Sequence, residues 1–157
     1  VSREGVSPRR GDDAVVMASS GSGPSRASAL IFNGRGEYLL HLRDNIPGIV
    51  EPGAWSLLGG GREPGDRSLA ETIQRELREE AGLEVPVLEP FAVEEVAESG
   101  SSAFSVQIFA GRWDGDPAML TLTEGIMLHW FRPDVLPRLR IAPSITRLVR
   151  RHARTIS

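Results

Sequence analysis

Apolar positions fall into short runs separated by turn residues, with a helical period in the middle of the chain and another at its end. Ala29 to Asn33 and Glu37 to Arg43 are apolar stretches joined by Asn33-Gly34-Arg35-Gly36, which predicts a hairpin. Asp44 to Ala54 holds two Pro-Gly pairs, Pro47-Gly48 and Pro52-Gly53, and reads as a loop. Trp55 to Leu58 returns briefly to strand character, and Gly59-Gly60-Gly61 is expected to end it. Leu69, Ile73 and Leu77 then recur every four residues. Asp66 or Ser68 is placed to cap the start, with Glu71 three residues after Ser68, and Gly82 is placed to stop the end. The spacing predicts a helix over residues 68–81. Val85 to Ala97, interrupted by Pro90, Ala103 to Ala110, and Ile126 to Phe131 read as strands, the first two joined through Ser99-Gly100-Ser101-Ser102. The chain ends in a short helical piece near Pro133 to Leu139 and a helix over 144–154, with Ile145, Leu148 and Val149 on one face. No internal repeat is present. Strands around two or three helices predict a mixed α/β or α+β domain.

Length and composition narrow the picture. A chain of 157 residues with 40% apolar positions has room for one core. Residues 1–26 are rich in Ser, Gly, Arg and Asp and read as a flexible arm, with Ala14 to Met17 as one short strand within it. Residues 27–157 form the expected domain. Acidic residues number 21 and basic residues 18, so no affinity for a nucleic acid polymer is expected. The absence of cysteine removes disulfides, thiolate nucleophiles and thiolate metal sites. The three histidines are far apart in sequence, which speaks against a histidine-rich metal site. No apolar run approaches the ~18 residues of a membrane helix. The arginines near the start have no apolar stretch behind them. A cytoplasmic protein without membrane contact is expected. Every basic residue is arginine, which reads as the mark of a G+C-rich genome.

The chemistry concentrates in Arg75-Glu76-Leu77-Arg78-Glu79-Glu80. Glu76, Glu79 and Glu80 fall on one helix face. They occupy the last turns, where the partial negative charge of the helix end disfavours carboxylates by about 0.3–1 kcal/mol each. Two resolutions are open. The face is solvated and partly neutralised by Arg75 and Arg78, or a hard divalent cation gathers the carboxylate oxygens. The glycine run just before the helix favours the second, because it lets backbone approach a ligand and offers carbonyl oxygens.

Gly60 to Leu83 resembles the Nudix box of Nudix hydrolases: glycine, five residues, glutamate, seven residues, then Arg-Glu-apolar-any-Glu-Glu-any-Gly-apolar. The second half matches without a gap, from Arg75 to Gly82 and Leu83. Trp55-Ser56-Leu57-Leu58-Gly59-Gly60 resembles the family's entry to the box, with Leu58 where proline is usual. Glu63-Pro64-Gly65 resembles a turn of its loop, and Thr123-Glu124-Gly125 with Trp130-Phe131 resembles its late strand. The first half departs by one residue. Counted from Gly60 the loop glutamate is Asp66, separated from Arg75 by eight residues rather than seven; counted from Gly61 its place is taken by Arg67.

The resemblance implies an α/β Nudix fold, a mixed β-sheet sandwiched between α-helices. It implies a pyrophosphohydrolase, dependent on Mg²⁺ or Mn²⁺, that cleaves a nucleoside diphosphate linked to another moiety. The alternative is a catalytically weak Nudix-like module that binds a nucleotide or ADP-ribose. Matched positions make Glu76, Glu79, Glu80 and the Gly59 carbonyl the expected metal ligands. Arg75, Gly60 and Gly82 are the expected support. Glu79, Glu80 and Glu124 are the candidates for taking a proton from water. Glu124 also reads as a plain turn carboxylate, and Arg43 as either a phosphate contact or a solvated strand end. His41 and the three tryptophans read as packed residues, and Arg147, Arg150, Arg151 and Arg154 as a solvated helix face. The expected partner is a small nucleoside diphosphate derivative, and a homodimer is left open.

Overall fold

The computed structural model describes residues 23–49, 51–96 and 103–156. Residues 1–22 of the expected arm, including the strand at Ala14 to Met17, and the link at Ser99 to Ser102 lie outside the described residues, whereas Arg26, the last residue assigned to the arm, opens the first strand. Seven strands and two α-helices follow in the order β1 (Arg26–Phe32), β2 (Tyr38–Leu42), β3 (Trp55–Ser56), β4 (Leu58–Gly61), α1 (Leu69–Ala81), β5 (Glu89–Val96), β6 (Phe104–Arg112), β7 (Met127–Phe131) and α2 (Pro143–Ile156). Short 3-10 turns cover Pro117–Met119 and Pro133–Arg138.

The sheet forks at β1. One edge of β1 pairs in parallel with β6 along its whole length. The other edge is shared: β4 runs antiparallel to its first half, and β2 meets it only at Phe32↔Tyr38. From there β2 pairs with β7 along one edge and with β3 at His41 and Leu42. The loop 44–54 and the late strand β7 thereby come to the fork, next to β4 and the end of α1.

Alternation along β1 sends Ala27, Ala29 and Ile31 to one face and Leu30 to the other. On the first face they meet Ile73, Leu77 and Ala81 of α1, all fully buried. On the second face Leu30, Tyr38, Leu40, Val106 and Ile108 meet Leu148 and Val149 of α2. The helices therefore cover opposite faces of a mixed sheet, as expected. Trp55, Trp113 and Trp130 pack against the two clusters.

The cap signals of α1 are realised with one change. The Ser68 hydroxyl accepts from Glu71 N, and Gly82, at φ 63°, closes the helix by donating to Arg78 O while Leu83 donates to Leu77 O. The Glu71 carboxylate does not return to the cap. It accepts from Arg67 N and pairs with the Arg67 guanidinium.

The glycine run departs from expectation. It does not end a strand but forms one: Gly59, Gly60 and Gly61 pair with Ser28, Ala27 and Arg26. Glycine is a poor strand former, and its presence here answers to close approach. A Cβ on Gly59 would run into the Ala27 carbonyl and Ser28, and a Cβ on Gly60 would run into the carboxylate of Glu76.

Candidate active site

Arg75 organises the site from the first turns of α1. Its Nε and Nη2 donate to the two oxygens of Asp66 at 3.0 and 2.8 Å, and Nη2 also donates to Gly61 O at 3.1 Å. Its Nη1 donates to Glu76 and to Glu79, each at 3.1 Å. One guanidinium thus ties the loop after β4 to two of the three helix glutamates. Asp66 is further held by Glu63 N–H and the Thr72 hydroxyl. The guanidinium, then these hydrogen bonds, keep the Asp66 carboxyl far below the usual carboxylate range. The one-residue departure in the loop is thereby bridged, for the shorter Asp66 reaches Arg75 with both oxygens.

The three glutamates sit in different surroundings. Glu79 is largely exposed, whereas the Glu76 side chain keeps only 14% of its surface in contact with solvent. Burial raises the Glu76 carboxyl above its ordinary range despite the pull of Arg75. Glu80 is half-buried with its carboxylate 3.3 Å from Gly59 N. It is pushed up to about 7, first by burial, then by the charges of Glu76 and Glu124, while Gly59 N–H and Arg43 pull the other way.

The remaining candidates converge on Glu80 from the fork of the sheet. Glu124 and Arg43 both act electrostatically on Glu80. Arg43 sits where β2 enters the 44–54 loop, and its N–H donates to Ala54 O. It also lines a cleft of about 240 Å³ on the α2 face, walled by Arg26, Trp55, Leu57, Phe104 and Leu148. The Arg26 guanidinium lies 5.2 Å from the Phe104 ring centre. Gly60 and Gly82 hold the two ends of the arrangement, Gly60 over Glu76 and Gly82 as the helix stop.

Sequence reasoning missed four participants. Thr123 donates its N–H to Glu80 O at 2.9 Å and its hydroxyl to Glu79 O at 3.0 Å, satisfying carbonyls at the end of α1. Asp44 accepts from Gly125 N, and His41 Nε2 meets Glu124 O. Ser56 Oγ is buried without a hydrogen-bond partner among the described residues, opposite His41 in the β2–β3 ladder. The glycine of Thr123-Glu124-Gly125 was a visible turn signal; the partners waiting 80 residues upstream were not.

Among the described residues, no three carboxylate or imidazole groups stand close enough together to hold a metal ion in this arrangement. Arg75 draws Glu76 and Glu79, and Gly59 N–H draws Glu80. The chemistry of the set nonetheless fits a hard divalent cation. Two of the three carboxyl groups are raised by burial, they repel each other, and the missing side chain at Gly60 makes the room that the Glu76 carboxylate occupies.

A family model for the NUDIX domain matches residues 24–152. The chain belongs to the Nudix family. Nucleoside triphosphatase NudI of Enterobacter sp. (strain 638) is 42% identical to it over 64 residues, which are 40% of this chain and 44% of NudI. NudI of Escherichia coli O1:K1 is 44% identical over 54 residues, 34% of this chain and 37% of its own. These matches span less than half the length of the curated relatives. Among solved structures, the MutT protein of Methanosarcina mazei Go1 superposes with a TM-score of 0.67 at 26% identity, covering 88% of this chain and 99% of that one. The NUDIX domain of Shewanella oneidensis NrtR, complexed with ADP ribose, superposes with a TM-score of 0.71 at 16% identity over 88% of this chain and 91% of that one. In this Nudix chain the second half of the box occupies α1, and the loop before it meets Arg75 through Asp66. No helix among the described residues is long and apolar enough to cross a membrane.

Proposed function

We propose that this chain is a divalent-metal-dependent pyrophosphohydrolase that cleaves a nucleoside diphosphate linked to another moiety. The observation that carries the reading is the seating of Glu76 beneath Gly60 and of Glu80 against Gly59, at the β4–α1 junction that the Nudix box occupies. Glu76, Glu79, Glu80 and the Gly59 carbonyl would hold Mg²⁺ or Mn²⁺. Bound there, the ion would neutralise the pyrophosphate, polarise a phosphoryl oxygen and lower the pKa of a water.

The chain's own groups do the rest. Arg75 is the positioning residue: it keeps Glu76 and Glu79 on the loop side of α1. Arg43 offers the phosphates a cation at the mouth of the α2-face cleft, and that cleft receives the group the phosphates carry. Glu79, Glu80 and Glu124 are the candidates to take the proton from water. Glu124 stands apart from the other two in lying off the helix, on the loop that Thr123 ties to the end of α1. The kinship with NudI, a nucleoside triphosphatase, makes nucleoside triphosphates the first substrates to try.

The test is a hydrolysis panel. Purified protein with Mg²⁺ is incubated with nucleoside triphosphates, dinucleoside polyphosphates, nucleotide sugars and ADP-ribose, and products are separated. Turnover of at least one compound is expected, and Glu79→Gln should lower it at least ~100-fold. Tight binding of one of these compounds without turnover would favour the binding-module alternative instead.

A further inference from the structure

We propose that His41 and Asp44 are positioning residues that strap the 123–125 loop across the end of α1 and so fix the Glu124 carboxylate beside Glu80. The inference rests on the hydrolase reading above, in which Glu124 is a candidate base.

The loop between Leu122 and β7 is held at successive residues, and always through groups other than the Glu124 carboxylate. Thr123 is bound to Glu79 O and Glu80 O of the helix end. The Glu124 carbonyl lies 3.0 Å from His41 Nε2. A carbonyl only accepts, so His41 carries its proton on Nε2 and donates it there. Gly125 N donates to Asp44 Oδ2 at 3.0 Å, and Ile126 N donates to Leu42 O at 2.8 Å. The strap therefore joins the end of β2 to the end of α1, two elements packed into the core.

Residue 125 shows how closely the parts interlock. Its φ is 89°, and any Cβ there would collide with the His41 imidazole. Glycine is needed both for the turn and for the ring to reach its acceptor. His41 is itself buried in β2, so it supplies a rigid donor in place of solvent. An exposed glutamate on an untied loop would sample many positions. With its backbone fixed on both sides, Glu124 keeps its carboxylate where its charge acts on Glu80.

The experiment compares His41→Gln, which keeps a side-chain N–H donor, with His41→Leu, which does not, and Asp44→Asn with Asp44→Ala. Each is made alone and with Glu124→Gln. Nucleoside triphosphate hydrolysis is measured with Mg²⁺, and amide hydrogen exchange at Thr123 and Gly125 is measured without metal. His41→Leu and Asp44→Ala should lower kcat about tenfold or more with KM within about twofold, while His41→Gln recovers most of the loss. Neither should cost anything further in the Glu124→Gln background, because the strap acts through that carboxylate. Gly125 exchange should quicken in Asp44→Ala. Full kcat in both variants, unchanged Gly125 exchange, or equal losses with and without Glu124 would overturn the inference while leaving the hydrolase reading intact. A wild-type protein that hydrolyses no nucleotide would overturn the hydrolase reading and the role assigned to Glu124 together.

Discussion

The carboxylate of Glu76 occupies the space in which any side chain at residue 60 would have to begin. Gly60 pairs with Ala27 in the β1–β4 ladder, and Glu76 projects from α1 toward it. The strand and the acid are built for each other, and the proposed site lies where they meet.

The two neighbouring glycines should therefore fail differently. In Gly60→Ala the new methyl displaces the end of a side chain. The fold should survive, and turnover should fall about a hundredfold. In Gly59→Ala the methyl meets the backbone of Ala27 and Ser28, which cannot move without opening the ladder. Stability should fall by about 1–3 kcal/mol. Thermal unfolding and hydrolysis measured side by side separate the two outcomes.

The Asp66–Arg75 pair should matter to both activity and acid stability. Asp66→Ala frees Arg75 from its bidentate partner and lets it compete for Glu76. Activity should drop about 10- to 100-fold, as for other supports of ligand residues. The Asp66 carboxyl is held below its unfolded value by Arg75. Its contribution is thus complete above about pH 3.9 and is lost as pH falls through its lower folded value. Denaturation against pH should show a shallower acid limb in Asp66→Asn than in the wild type.

Tyr38 and His152 predict the two other limbs of the stability profile. Their side chains meet at 2.7 Å in the α2-face core. Burial pushes the Tyr38 hydroxyl up to about 12 and lowers His152. The chain has one tyrosine, no cysteine and no lysine, so Tyr38 is the side chain that titrates between about pH 9 and 12. A raised folded value means full stability below about pH 10, lost as pH climbs toward 12, by about 2 kcal/mol. A lowered histidine means stability lost as pH falls below about 6.5, and His41, also lowered by burial, adds to the same limb. Tyrosinate absorbance and denaturant unfolding across pH check both. Tyr38→Phe should flatten the alkaline limb, and His152→Gln should soften the fall below pH 6.5.

What could be read from the sequence was local. Ile73, Leu77, Ser68 and Gly82 announce α1 because period and caps are decided within one helix. Glu76, Glu79 and Glu80 share a face for the same reason. The rest depends on partners remote along the chain. Gly59 to Gly61 form a strand because β1 and Glu76 press against them, a demand that no propensity encodes. The parallel pairing of β1 with β6 joins residues about 80 positions apart, with no signal in either segment. His41 read correctly as a packed residue, yet its second task depends on a carbonyl at residue 124. Asp66 was visible as an offset in the box; its two-pronged hold on Arg75 was not.

Manganese titration tests the central claim most directly. With backbone amide signals followed by NMR, added Mn²⁺ should broaden Gly59, Gly60 and the stretch from Glu76 to Glu80 first, and Glu76→Gln should abolish that selectivity. Broadening that spreads evenly over the acidic surface, or none at millimolar Mn²⁺, would contradict the claim that these carboxylates gather around a divalent ion.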